Sequence, residues 1–429
     1  MIKPQKIKPS PPVRIDLTII ALALAMGSCV TPKSAADNSH RGLYDYESMV
    51  LHPSVSVYHI SDSETEIHYS FEASELLFNR SHIDSSFEAH LSFKGELFQD
   101  VNDSLVLAHE FQNERRFVND YTHRIQGSID IPCDQGTEST LNISFKDENR
   151  KTVARVIITI DKTNRFNSQN FLVLGKDNKV VYGDQIAGNA ELTLRCDRCS
   201  TADFSISRND EEIKLPPPPF SDSRIDLPNH KDGLNMSLPA RDKNLEINVT
   251  SGFYFITQDP LKEDGLTLSV RDEFFPDIMT VDDMIASIRY ITSRAEFEDM
   301  TQGGRTREVM ENFWVECGGS KEKARQLIQA YYNRVREANL YFSHVVPGWK
   351  TDRGLIHIVF GNPKKIFHYP EKEIWLYGED DNLNSLQFTF RNKTSQYSSN
   401  HLVLQRDHVY KNNWERAVTS WRNGRIYED

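Results

Sequence analysis

Along most of this chain apolar and polar residues alternate with the period of a strand; the period changes once, and a short, mainly apolar run stands ahead of it. That run is Leu17 to Met26, preceded by Lys3, Lys6, Lys8 and Arg14. It is too short to cross a bilayer as a helix, and a basic start before a short apolar core is the layout of an export signal. Residues 30 to about 45 are small and polar without a period, which predicts a flexible tether. From about 46 to 162 the pattern predicts strand after strand. Val55, Val57 and His59 alternate with Ser56, Tyr58 and Ile60, and similar segments run Glu66 to Glu72, His90 to Phe98, Arg124 to Ile131, Leu141 to Lys146 and Thr152 to Asp161. Asp, Asn, Ser and Gly between them favour an antiparallel sandwich. The apolar run Val153 to Ile160 reads as a buried closing strand.

A second β region, 163–276, has candidate strands at Phe171 to Leu174, Lys179 to Tyr182, Glu191 to Cys196, Asp203 to Ser207, Leu245 to Val249, Gly252 to Thr257 and Leu266 to Val270. Within it, Pro216 to Pro219 predicts either an exposed rigid loop or a ligand for an SH3-like groove. The period changes after Pro276. Ser293-Arg294-Ala295-Glu296 has capping-box form, and Thr306 to Cys317 predicts a second helix ended by Gly318-Gly319. Ser320 can cap a long helix, with Ala324, Leu327, Ile328, Tyr331, Val335, Ala338 and Phe342 on one face. Strands are expected at Leu355 to Phe360, Glu373 to Tyr377 and Leu386 to Arg391, and a last helix near Asn412 to Trp421. The fold class is therefore mainly β with a C-terminal α+β domain: two tandem antiparallel β-sandwich-like modules, 46–162 and 163–276, then a helical/β domain, 277–429.

Composition narrows what such a chain does. The formal charge is −12, carried despite a basic leader, which argues against nucleic acid as a partner. Met26-Gly27-Ser28-Cys29 resembles the bacterial lipobox. The resemblance implies a lipoprotein signal peptide at 1–28, a palmitate-type acyl anchor on Cys29 and a tether over 29–45. The chain then reads as anchored to the outer membrane by its lipid, not spanning it. No acidic cluster follows Cys29, which favours the periplasmic face over the cell surface. In an oxidising envelope Cys196 and Cys199 could close a tight disulfide. They could also be half of a zinc site that lacks its other half, or a redox pair, although the strand-like context suits neither. Cys133 and Cys317 have no deducible partner.

Pro347-Gly348-Trp349-Lys350-Thr351-Asp352-Arg353-Gly354 is the distinctive motif, at the end of the long helix. With Arg289 to Thr292, Asn333-Arg334-Val335, Phe360-Gly361-Asn362-Pro363 and Glu373 to Tyr377, the stretch 285–395 resembles the GWxTD domain. The resemblance implies an envelope lipoprotein of Bacteroidota and a helical/β architecture, but no reaction. Physically the motif reads as a turn. Gly348 and Gly354 would supply unusual backbone angles and Trp349 an apolar plug. Thr351 or Asp352 would accept from backbone amides, and Arg353 would pair with Asp352, Glu373 or Glu337. Two other readings make Trp349 and Arg353 anchors of an interaction loop, or Asp352 an acid or base.

No recognised catalytic motif, cofactor-binding motif or metal-ligand spacing is present; Glu379-Asp380-Asp381 and Asp282-Asp283 lack calcium-loop spacing. Asp103-Ser104-Leu105 resembles a short O-glycosylation motif. The sequence thus predicts a non-catalytic accessory or scaffold subunit of an outer-membrane assembly, secretion or transport complex. The alternative is an enzyme acting on envelope polysaccharide or peptide, or a carbohydrate-binding protein.

Overall fold

The structure, a computed structural model, describes residues 50–427 apart from 82–83, 102–103, 120–122, 200–202, 224–225, 240–242, 260–263, 370, 380–384, 394, 396 and 399. The leader, Cys29 and the tether lie outside the described residues, as do Asp103, Asp380 and Asp381. Among the described residues no helix is long and apolar enough to cross a membrane.

The first module is built from β1 (Ser54–His59), β2 (Glu64–Glu72), β3 (Asn79–Arg80), β4 (Phe87–Val101), β5 (Ser104–Val118), β6 (Arg124–Pro132), β7 (Glu138–Asp147) and β8 (Thr152–Asp161). One sheet has the order β1-β2-β6; in the other, β4 pairs with β5, β3 and β7, and β7 with β8. β7 shows why the alternation works: its residues are buried at every second position, and Leu141, Ile143 and Phe145 meet Tyr69 and Phe71 of the facing sheet. Lys162 is buried just past β8, donating to the carbonyls of Ser61, Glu64 and Cys133 at 3.0, 2.9 and 2.6 Å. Burial lowers its pKa.

The second module contains β9 (Leu172–Leu174), β10 (Gln185–Ala187), β11 (Ala190–Arg195), β12 (Phe204–Asn209), β13 (Leu234–Leu238), β14 (Asn244–Val249), β15 (Gly252–Thr257) and β16 (Leu266–Arg271). Its sheets are β14-β11-β9 and β10-β16-β15-β12-β13, antiparallel except for β10 with β16. Cys196 and Cys199 are joined as a disulfide, with Cα atoms 5.3 Å apart. Tyr58 ties the first two modules together: its hydroxyl donates to the Asp197 carboxylate at 2.8 Å and accepts from the Asp197 N–H at 2.9 Å.

The third module has α1 (Val281–Ile288), α2 (Arg294–Met300), α3 (Arg307–Gly318), α4 (Lys321–Phe342), α5 (Asp352–Phe360) and α6 (Lys411–Arg422), with β17 (Lys365–Tyr369), β18 (Lys372–Tyr377), β19 (Leu386–Asn392) and β20 (Leu402–Leu404) in one antiparallel sheet. The capping box at Ser293 is formed, and Gly319 ends α3 in the left-handed region at φ 70°. The α4 stripe is buried as its spacing requires, apart from the half-buried Ile328.

Several expectations are corrected. Leu355 to Phe360 is not a strand: it lies in α5, where every residue from Arg353 to Phe360 is buried, so no periodicity betrays the helix. Lys179 to Tyr182 makes only an isolated bridge, Leu174 with Val180. Val153 to Ile160 is an edge strand, not a buried one, with Val153 46% and Ile157 69% exposed. The Pro216 to Pro219 segment is packed down instead of projecting: Pro216 and Pro219 are buried. Arg406 donates to the Pro217 carbonyl at 3.2 Å, and the Asp407 N–H donates to the Pro219 carbonyl at 3.1 Å.

Candidate functional site at the Gly-Trp-Lys-Thr-Asp turn

The distinctive motif links α4 to α5 through one 3-10 turn, Gly348–Lys350. Its glycines serve close approach, not unusual torsion, because neither has a positive φ. A Cβ on Gly348 would fall inside the Ala338 carbonyl of α4, and one on Gly354 inside the Gly348 carbonyl. Removing both side chains lets two helices and a turn share one small volume.

Each remaining motif residue is fastened. Trp349 is 2% exposed; its N–H donates to Asn339 at 3.2 Å and its carbonyl accepts from the Tyr290 hydroxyl at 2.7 Å. Thr351 caps α5: Oγ1 accepts from the Gly354 N–H at 3.0 Å and donates to the Gly348 carbonyl at 2.7 Å. Asp352 opens α5, where a carboxylate suits the positive end of the helix dipole. Its Oδ2 accepts from the Leu404 N–H at 2.8 Å and from Arg406 Nη1 at 3.0 Å, and its Oδ1 accepts from Arg406 Nη2.

Arg353 is 3% exposed, lies over the Phe342 ring and reaches the Asn400 carbonyl at 2.8 Å and Glu373 at 3.8 Å. Burial alone would raise the Glu373 carboxyl. Contacts with His368, Arg353 and Trp375 outweigh it and hold the group below its ordinary range. Of the three partners expected for Arg353, the structure gives it Glu373; Glu337 pairs with His357 at 2.8 Å and Asp352 with Arg406. Trp349 and Arg353 are turned into the module, so neither stands ready as an anchor for a partner. Sequence reasoning missed Arg406, Leu404 and Asn400, remote in sequence, and Asn339, only ten residues before Trp349; none carries a motif of its own.

Beside the turn lies a cavity of about 680 Å³, where Lys214, Pro217 and Leu227 of the second module face His344, Lys350 and His401 of the third. The second module is fixed here by Gln185 and Arg271, which donate to the His344 carbonyl at 2.9 and 2.6 Å. Burial holds His344 well below the usual imidazole range and lowers His401 too; their ring centroids are 5.2 Å apart. Burial also lowers Lys350, whose ammonium lies 4.9 Å from the Trp349 ring centroid. Both oxygens of Asp352 are engaged, and so is the Thr351 hydroxyl. The thiols Cys133 and Cys317 are buried, the latter pushed up to about 11 by burial. Among the described residues no group of three or more His, Cys, Asp or Glu side chains could hold a metal.

Residues 252–423 match the GWxTD domain family. The match begins inside the second module, at the first residue of β15, so it takes in two strands of that module as well as the third. The Phe253 and Phe255 side chains of β15 pack on Val345 and Val346 just ahead of the turn. No curated protein matches the chain. Among solved structures, the crystal structure of red sea bream transglutaminase aligns at 8% identity and a TM-score of 0.19, over 52% of this chain and 32% of that one. A likeness that slight decides neither fold nor activity.

Proposed function

We propose that this chain is a lipid-anchored envelope protein of a Bacteroidota-type bacterium, working as a non-catalytic accessory or scaffold subunit of an outer-membrane assembly, secretion or transport complex. The observation that carries the non-catalytic part is Asp352: each oxygen of the motif's one carboxylate is held, by Arg406 or by Arg406 and the Leu404 amide, as in a structural ion pair. Modules joined through Tyr58, the His344 carbonyl and the packed prolines suit a protein that holds others in position. The anchor rests on the basic leader, the short apolar core and Cys29. With no acidic cluster after Cys29, the lipid would hold the modules on the periplasmic face.

Gentle detergent extraction followed by pull-down of the tagged protein tests the complex: stoichiometric partners are expected, and recovery of the protein alone would overturn it. Palmitate labelling and fractionation of Cys29→Ala test the anchor, which fails if the label is absent or the variant still sediments with membranes. The competing reading, an enzyme or binder acting on envelope polysaccharide or peptide, draws on the cavity beside Asp352. It requires Asp352→Asn to abolish turnover of an envelope fraction that the native protein converts.

A further inference from the structure

A second cavity, about 720 Å³, reaches from Tyr397 to the outer edges of two strands of the first module, Val55–Val57 of β1 and Ile157–Thr159 of β8. Among the described residues both strands end their sheets, so each presents backbone groups that no further described strand takes up. At the C-terminal end of β8 one side chain imitates a neighbour. Gln169 Oε1 accepts from the Asp161 N–H at 2.9 Å, and its Nε2 donates to the Thr159 carbonyl at 2.7 Å. That pair of bonds is the one a single residue of a parallel strand would make to β8. It also fixes the parity of the edge: the odd-numbered residues point their N–H and C=O away from β7. The next positions along the same lane are the Thr159 N–H, both backbone groups of Ile157, and those of Arg155 and Val153.

We propose that the β8 edge receives an extended peptide segment of a partner protein as an added parallel strand, its C-terminal end meeting Gln169 and its side chains entering this cavity. The other long edge suits this role less. β5 is mostly exposed, and its second half carries Glu110, Glu114, Arg115 and Arg116, charges that deter pairing. On β8 the side chains flanking the lane are Val153 and Ile157, 46% and 69% exposed, with one charge, Arg155, between them. The lining selects the occupant further. Among the described residues Asp161, Asp184 and Asp264 line the cavity, and no Lys, Arg or His does. Phe171, Val173 and Val181 supply an apolar wall. An extended segment with apolar residues at alternate positions and a Lys or Arg among them fits both. This deepens the scaffold reading by naming the kind of partner, and it rests on that reading only for where the partner is met.

The test is selection of a displayed random octapeptide library on the full chain, with counter-selection on Ile157→Pro. This substitution removes an outward N–H and leaves the ladder to β7 intact. Enriched peptides should bind the native chain at least about tenfold more tightly than the variant, while the thermal melts of the two proteins agree. A synthetic scan of one enriched peptide leaves the protein unaltered, so it stands even if the variant unfolds. N-methylation at alternate residues should abolish binding at one parity and spare it at the other. The proposal is overturned if no peptide is enriched, or if both parities behave alike. It is overturned too if sedimentation shows the lane filled by a second copy of this chain in an Ile157-dependent dimer. A pull-down without partners alongside intact peptide binding would remove the envelope complex and leave the lane.

Discussion

All five tryptophans of the chain lie in the third module and every one is buried, whereas the first module contains none and leaves Leu105, Val106 and Ile157 in water. The third module spends its distinctive residues on itself. Trp349, Asp352 and Arg353 each meet a partner from another element of the same module. The first module is knit by ordinary alternation and by one buried ammonium, and its edges stay open. A conspicuous sequence motif therefore marks a buried, fully bonded turn, while the open strand edge proposed for association belongs to a segment without any signature. The contrast can be broken most forcefully at Gly348. Gly348→Ala drives a methyl group into the Ala338 carbonyl, backbone against backbone, which no rotamer can relieve. The expected loss is about 4 kcal/mol or more, followed in urea by tryptophan fluorescence, which reports the third module alone. A variant within about 1 kcal/mol of the native protein would show that the turn tolerates rearrangement.

How much of this was legible in the sequence depends on how each segment is buried. β7 and α4 each have one buried and one exposed face, so their periods appear directly in the residues. α5 is buried all round and reads as a strand; its real signal is Thr351-Asp352, a cap followed by an acid at a helix start. β5 fails for the opposite reason: most of its residues are exposed, so nothing forces alternation upon it. At the site, the turn was readable because its residues are adjacent in sequence. The partners Leu404 and Arg406 were not, since only the fold brings β20 and the segment after it to the start of α5.

The next largest effect is expected at Arg406. Arg406→Met strands a nearly buried carboxylate, at a cost of about 3–5 kcal/mol. Adding Asp352→Asn removes the unpaired charge, so the double variant should be more stable than Arg406→Met alone in the same fluorescence assay. Simple additivity of the two losses would mean that the pair is not coupled as the geometry requires.

In the first module the corresponding lever is pH. His59 is fully buried between Thr65 Oγ1 and the Asp161 carbonyl, each 3.0 Å away, and burial lowers its pKa from 6.5 to about 4. Between those values the unfolded chain holds a proton that the folded one refuses. Stability is therefore complete above pH 6.5, falls as the pH drops toward 4 and levels off below it. The shift corresponds to about 3 kcal/mol. His68 in this module, and His344 and His401 in the third, are shifted the same way. The difference between native protein and His59→Gln isolates the one residue: circular-dichroism melts should show a shallower acid loss in the variant. Equal slopes would assign the acid sensitivity to the other histidines.

The smallest effect on stability should come from Ile157→Lys, and for that reason it sharpens the comparison most. Ile157 is 69% exposed on an edge strand, so the new ammonium stays in water and displaces nothing from the core. The melting behaviour should change by no more than about 0.5 kcal/mol. Yet the charge sits beside the vacant lane of β8, where any added strand must strip it of water. Gly348→Ala and Ile157→Lys thus form opposite halves of one experiment: the first should change fluorescence-detected stability, the second only association. If Ile157→Lys instead unfolds the first module, β8 is held by contacts on its outer face, and the open edge is not a surface kept for a partner.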